Sequence, residues 1–273
     1  MRFAAVLLAA IAAFAASASA ATQKIGEAEM RAILAAVCQP GKVTKKSCDK
    51  VRGYPEGRDD CGIELTGDGG DGRFLTGETV YLVADYTNCE PHANNWGGSV
   101  LFERTASGLD FKGYFQGVRL SGCVAMTGGA RDRLVCTSGS MFQGYESDMV
   151  NEVVLSKDAA GKPELSTQEL ISAGRSEDAV GVNAVECGKP IYFLSLGDVS
   201  AGPSPETIAF TAVYADAALI KAVCGQRGRN AKLGSSPPQD NEAYLPRKAK
   251  TKKGRFVYDL AKRELLPNGE AAR

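Results

Sequence analysis

Apolar positions repeat at the two-residue period of β-strands over most of this chain, most densely between Gly77 and Gly117. Val80 to Val83 is a short apolar run of β-branched and aromatic residues, the composition of a well-covered strand. A polar loop follows. The pair Gly97-Gly98 punctuates the chain before Ser99 to Arg104, where Val100 and Phe102 fall on one face. Ser107-Gly108 supplies a turn, and Leu109, Phe111 and Phe115 alternate in a third strand that closes at Gly117. The predicted unit is strand, long loop, strand, tight turn, strand.

Two weaker copies follow. Val80, Leu134 and Ile191 each open an apolar strand, and they stand 54 and 57 residues apart. The second copy runs through Leu134-Val135-Cys136, a loop over 137–147, Met149 to Leu155, a turn at Gly161-Lys162-Pro163, and Glu164 to Ile171. The third runs through Ile191 to Leu194, a loop over 195–206, Thr207 to Tyr214 with Ile208, Phe210 and Tyr214 on one face, and a strand over Leu219 to Val223. Phe256 to Leu260 predicts a last strand. Ahead of the array, Ile25, Met30, Ile33, Leu34 and Val37 recur at helical spacing and predict a short amphipathic helix, stopped by Pro40-Gly41. Residues 38–72 predict an irregular, disulfide-held segment. Its run Gly67-Asp68-Gly69-Gly70-Asp71-Gly72 lacks the third aspartate and downstream glutamate of a calcium loop, and the lysine of a phosphate loop, so it reads as a turn.

The first residues change the picture of where such a chain works. Arg2, the apolar run Phe3 to Phe14 and the small residues Ala18-Ser19-Ala20 are the three regions of a secretory signal peptide, with cleavage expected after Ala20. That run is shorter than the ~20 residues a spanning helix needs, and no later segment reaches that length. No cysteine stands at the cleavage site, which disfavours a lipid anchor. The expected location is the periplasm or the outside of the cell, without a membrane span.

In such a compartment the eight cysteines Cys38, Cys48, Cys61, Cys89, Cys123, Cys136, Cys187 and Cys224 read as up to four disulfides. Cys123 and Cys136 flank the turn-rich segment 127–131 and are expected to pair across a hairpin; Cys187 and Cys224 bound the third copy and form the second expected pair. The pairing of the other four is open. Zinc would want a Cys-x-x-Cys pair or several histidines, and neither is present. No metal or other cofactor is called for.

The formal net charge is zero, which argues against a general nucleic-acid or membrane-surface role. The charge is nonetheless uneven. Residues 226–273 carry 12 Lys/Arg against 5 Asp/Glu, and with Arg2 removed residues 21–225 are left at about −8. The expected organisation is one mainly-β domain over 21–273: helix and disulfide-held segment (21–72), three repeat units (75–225), a basic surface loop (226–255), and a terminal strand and tail (256–273).

Strand, loop, strand, turn, strand at a period of roughly fifty residues resembles the blades of a β-propeller, and more distantly the integrin-type FG-GAP repeat. The resemblance covers 75–225, with Phe115-Gln116-Gly117 and Phe142-Gln143-Gly144 standing where that family has Phe-Gly. The family's calcium-binding aspartate loop is absent. What the resemblance implies is a small degenerate propeller or open meander; it does not imply calcium binding or adhesion, and a disulfide-stapled β-sandwich is the competing arrangement.

Candidate chemistry gathers in the loops. If the units are equivalent, the stretches 84–98, 137–148 and 195–206 emerge on one edge. The first offers Asp85, Tyr86, Glu90, His92, Asn94, Asn95 and Trp96; the second adds Gln143, Tyr145, Glu146 and Asp148. Aromatic faces with amides and carboxylates suit a sugar, a peptide or a small polar ligand. His92 and Trp96 are the only residues of their kinds. His92 is thus the sole candidate imidazole base, yet no Gly-x-Ser-x-Gly or other nucleophile motif accompanies it, and a lone loop histidine is more often structural. Glu90 and Glu146 as a glycosidase pair would need facing positions that sequence does not give. The reading is a non-catalytic module for a protein or small polar ligand, with contacts through Glu90, His92, Asn94, Asn95, Trp96, Gln143, Tyr145 and Glu146. The alternatives are a hydrolase using His92 with Asp85 or Glu90, and a structural protein of the envelope.

Overall fold

The computed structural model describes residues 24–55, 58, 61–89, 97–129, 131–142, 145–177, 182–230, 233, 239–246 and 248–266; residues 140–142, 145–146, 175–177, 182 and 230 are described by their backbone alone. The chain forms three antiparallel sheets and short helices, tied by four disulfides.

The first sheet holds β1 (Ser47–Cys48), β2 (Ile63–Gly72), β3 (Tyr81–Thr87), β4 (Gly98–Thr105) and β5 (Gly108–Gln116), paired in chain order. The central sheet continues with β6 (Ser121–Met126), β7 (Arg133–Phe142), β8 (Tyr145–Lys157), β9 (Pro163–Glu177) and β10 (Val182–Glu186), edged by β13 (Glu242–Leu245). The third is β11 (Ile191–Ala201), β12 (Thr207–Asp216), β14 (Lys252–Asp259) and β15 (Glu264–Leu265). Antiparallel meanders are therefore present, each strand pairing with its successor through much of the chain.

Alternation assigns the faces. In β3, Leu82, Ala84 and Tyr86 point to one side, where the helix α1 (Glu27–Val37) lays Met30, Ile33, Leu34 and Val37 against them. Tyr81 and Val83 point to the other, onto Leu134, Cys136, Val153 and Leu155 of the central sheet. Both faces of β3 are filled, which is why its sequence is a continuous apolar run. The opposite face of the central sheet, with Val135, Val150, Ile171 and Ala173, packs on Phe193, Ile208, Phe210, Tyr214 and Phe256 of the third. The order of layers is α1, first sheet, central sheet, third sheet.

Several expected boundaries shift. Leu109, Phe111 and Phe115 do not all share a face: Leu109 and Phe111 pack toward α1, but a bulge after Phe111 gives that face to Tyr114 and turns Phe115 toward the central sheet. The glycine run 67–72 is part of a ten-residue strand, not a turn. Gly69, at φ +142, lets β2 bulge against β3 where any Cβ would collide with Val83 O. Residues 137–142 and 145–148 extend the β7–β8 hairpin rather than forming a loop, and β11 and β12 reduce the third predicted loop to 202–206. Leu219 to Val223 lies in helix α2 (Ala217–Cys224), because Asp216 caps its N-terminus through Leu219 N (2.9 Å). The basic loop contains α3 (Arg227–Asn230), β13 and the start of β14.

Candidate functional site

The first candidate loop leaves β3 and returns to β4. Glu90, His92, Asn94, Asn95 and Trp96 lie outside the described residues, as does Gln143, and Tyr145 and Glu146 are placed by backbone only, within β8. What the structure does describe is how the first loop is held. Cys89 is bonded to Cys61, and its carbonyl accepts from Tyr54 Oη at 3.2 Å. Tyr54 Oη also meets Tyr86 Oη at 3.0 Å, and Tyr114 packs on both rings while donating to Arg52 O. Burial, with the Tyr54 contact behind it, pushes the Tyr86 hydroxyl far above its ordinary pKa. On the return side, Gly97 sits at φ +105 with no room for a Cβ beneath Tyr86 O. Both stems are thus fixed by packing and one covalent bond.

Asp85 is not a loop residue. It lies in β3, fully buried. Thr66 Oγ1 donates to one carboxylate oxygen (3.0 Å), Leu120 N to the other (2.9 Å), and Arg119 spans both at 3.0 and 3.3 Å. Burial raises its pKa, opposed by the Arg119 pair and the bonds from Leu120 and Thr66. With every oxygen engaged it acts as a clamp between the first sheet and the segment leading to β6, and has no lone pair free to orient a histidine.

That segment links the loop stem to a cleft. Gly117 N donates to Gly97 O, and only Val118 to Leu120 separate it from β6. There the central sheet and the bulged edge of β11 diverge around about 450 Å³, lined by Ser121, Gly122, Thr137, Ser138, Asp148 and Asp198, among others. Thr137, Ser138 and Asp148 come from the second predicted loop and Asp198 from the third, so the structure brings those two stretches together, as strand segments, beside Ser121 and Gly122 of β6. Three wall groups are set by a neighbour. Thr137 Oγ1 donates to Ser121 O (2.9 Å), Asn151 Nδ2 to Ser138 Oγ (2.6 Å), and Leu196 N to Asp148 Oδ2 (3.1 Å). Gly139 and Gly197 contribute bare backbone to the wall, and the register slips between Leu196 and Val199 to expose it. Among the residues that line it there is no lysine or arginine.

Of the residues picked out from sequence, Asp148 alone has a side chain described at this cleft. Ser121, Ser138 and Asp198 were missed. The available signal was a lone glycine inside each strand, Gly139 in β7 and Gly197 in β11, which marks a bulge or an uncovered backbone. Among the described residues no group of three or more His, Cys, Asp or Glu is placed to hold a metal ion. Compared with known proteins, the chain matches no family model, no curated protein and no solved structure.

Proposed function

We propose that this chain is an exported, non-catalytic binding protein of the bacterial periplasm that seats a small polar ligand between β6–β8 and β11, with His92 and Trp96 as further contact residues. The observation that supports this reading is the pre-set cleft wall. Ser138, already accepting from Asn151, keeps its hydroxyl proton for a ligand, and Asp148 keeps the oxygen that Leu196 does not use. Groups fixed before binding lose little freedom on capture, which is how a small polar site gains affinity. Four disulfides, and the absence among the described residues of a helix long and apolar enough to cross a membrane, are consistent with an exported chain.

Gly139 offers the cleanest test. A Cβ there would meet only Ser147 O, at an ordinary 3.8 Å, so a side chain can leave the strand at this wall position without a backbone collision and occupy cleft volume. A thermal-shift screen of neutral sugars, amino acids and small amines against the mature, disulfide-bonded protein should yield at least one compound that raises Tm in the parent and fails to in Gly139→Phe. A screen without a stabilising compound, or a shift that survives Gly139→Phe, would overturn the proposal.

A further inference from the structure

The outward face of the third sheet carries a second surface, which meets the cleft at Leu196 and Gly197. Along β12 the even positions Ile208, Phe210, Ala212 and Tyr214 are buried against the central sheet, so Thr211 and Val213 point away from it. Register sets the rows across the strands. Ser195, Val213 and Lys253 form one, and Thr211 with Arg255 the next. Gly197 of β11 lies beside Thr211, where a Cβ would collide with its hydroxyl, so that corner stays open. The result is a trough of about 440 Å³ lined by Ser195, Gly197, Thr211, Val213 and Lys253, among others. It shares Ser195 and Val213 with a second hollow of about 280 Å³ that continues toward Asn183, Pro246 and Thr251. The surface is elongated, as a chain-like ligand requires.

Its charge is positive and uncommitted. Lys248, Lys250, Lys253 and Arg255 are all exposed, and among the described residues none pairs with a carboxylate. Their neighbour Lys252 is occupied by Asp216 at 2.7 Å. Arg255 lies across the face, with one Nη2 donor on Ser200 Oγ (3.1 Å), which holds its guanidinium over the sheet with other N–H groups unspent. The exposed large hydrophobics among the described residues are Val43 and Leu233, neither of which lines these hollows, and Val213 is only partly exposed, so the face offers no protruding apolar side chain to anchor in a bilayer. No aromatic ring lines either hollow, so nucleobases find no stacking platform. Hydroxyls beside cations match hydroxyls beside oxyanions.

We infer that this trough binds an anionic oligosaccharide, its sulfate, phosphate or carboxylate groups on Lys253 and Arg255 and its hydroxyls on Ser195 and Thr211. Two cations neutralising two ligand anions displace counterions, so log K should fall with log salt at a slope of about −2.

The test is calorimetric titration of the mature, disulfide-bonded protein with a heparin-derived hexasaccharide, at two salt concentrations. Uncharged maltohexaose, a single-stranded DNA oligomer and phosphatidylglycerol vesicles are the comparison ligands. The hexasaccharide should bind. Lys253→Ala/Arg255→Ala should weaken it by about tenfold or more and flatten the salt slope, while the swap Lys253→Arg/Arg255→Lys preserves it within about threefold. Lys42→Ala/Lys46→Ala, far away on the β1 segment, should leave it unchanged. All these side chains are exposed, so an unaltered Tm certifies the fold of each variant. Equal weakening by the control pair, or undiminished binding in the alanine pair, would refute the site. Tighter, trough-dependent binding of DNA or vesicles, or equal binding of maltohexaose, would refute the anionic saccharide as its ligand.

Discussion

Four donor atoms converge on Asp85, from Thr66, Leu120 and the Arg119 guanidinium, and they come from strand β2 and the segment before β6. Removing the carboxylate leaves those donors buried or half-buried without a partner. Asp85→Ala should therefore cost about 3 kcal/mol in urea unfolding, with Asp85→Asn costing less because an amide oxygen still accepts from Leu120. The pH dependence has a definite sign. Burial holds the folded pKa of Asp85 above its ordinary 3.8, so the group favours the folded state most below 3.8 and that contribution is lost as pH rises through the folded value. The stability difference between the parent and Asp85→Asn should shrink across that window when both are titrated with urea. From sequence Asp85 looks like the start of a polar loop, because the arginine that neutralises it stands 34 residues away and no local pattern shows a distant counter-ion.

At the scale of elements, strands and helices are legible where one period dominates. The apolar stripe of α1 repeats every three or four residues, and the run in β3 is apolar on both faces, so both stand where the pattern places them. The far half of the β7–β8 hairpin was not legible, because residues 137–148 are mostly polar and show no alternation to mark their pairing. Helix α2 was misread for a different reason. Leu219, Ile220 and Val223 fit either period over so short a run, and the decision falls to Asp216, whose side chain caps the helix. Asp216→Ala should lower Tm. The Lys252 pair and the Leu219 amide hold the Asp216 pKa below 3.8, so its contribution is present above 3.8 and is lost as pH falls through the folded value. The Tm gap between parent and Asp216→Ala should close on acidification. The hairpin disulfide was visible from its turn. Cys123 and Cys136, 13 residues apart, join neighbouring strands β6 and β7, and replacing both with serine should cost roughly 3 kcal/mol in denaturant unfolding.

Over the whole molecule, function follows from stacking. The central sheet is covered on both faces, by the first sheet and by the third, and its strands β6 to β8 part from β11 where Gly139 and Gly197 remove side chains and β11 slips register. The sheets were foreseeable from alternation. The cleft was not, since it joins residues more than 70 positions apart, from Ser121 to Val199. Nor did the sequence point to the trough, because Lys253 and Arg255 read as part of a solvated basic run until β14 sets them in register with Thr211 and Val213.

Backbone amide mapping by two-dimensional NMR, on the mature oxidised protein titrated with pooled small polar metabolites, tests the central claim most directly. The account predicts that the amides of Gly122, Gly139, Leu196 and Gly197 shift together with one saturating affinity, and that Gly139→Phe abolishes the shifts. Saturable shifts clustered elsewhere, or no shifts from any pool, would contradict it.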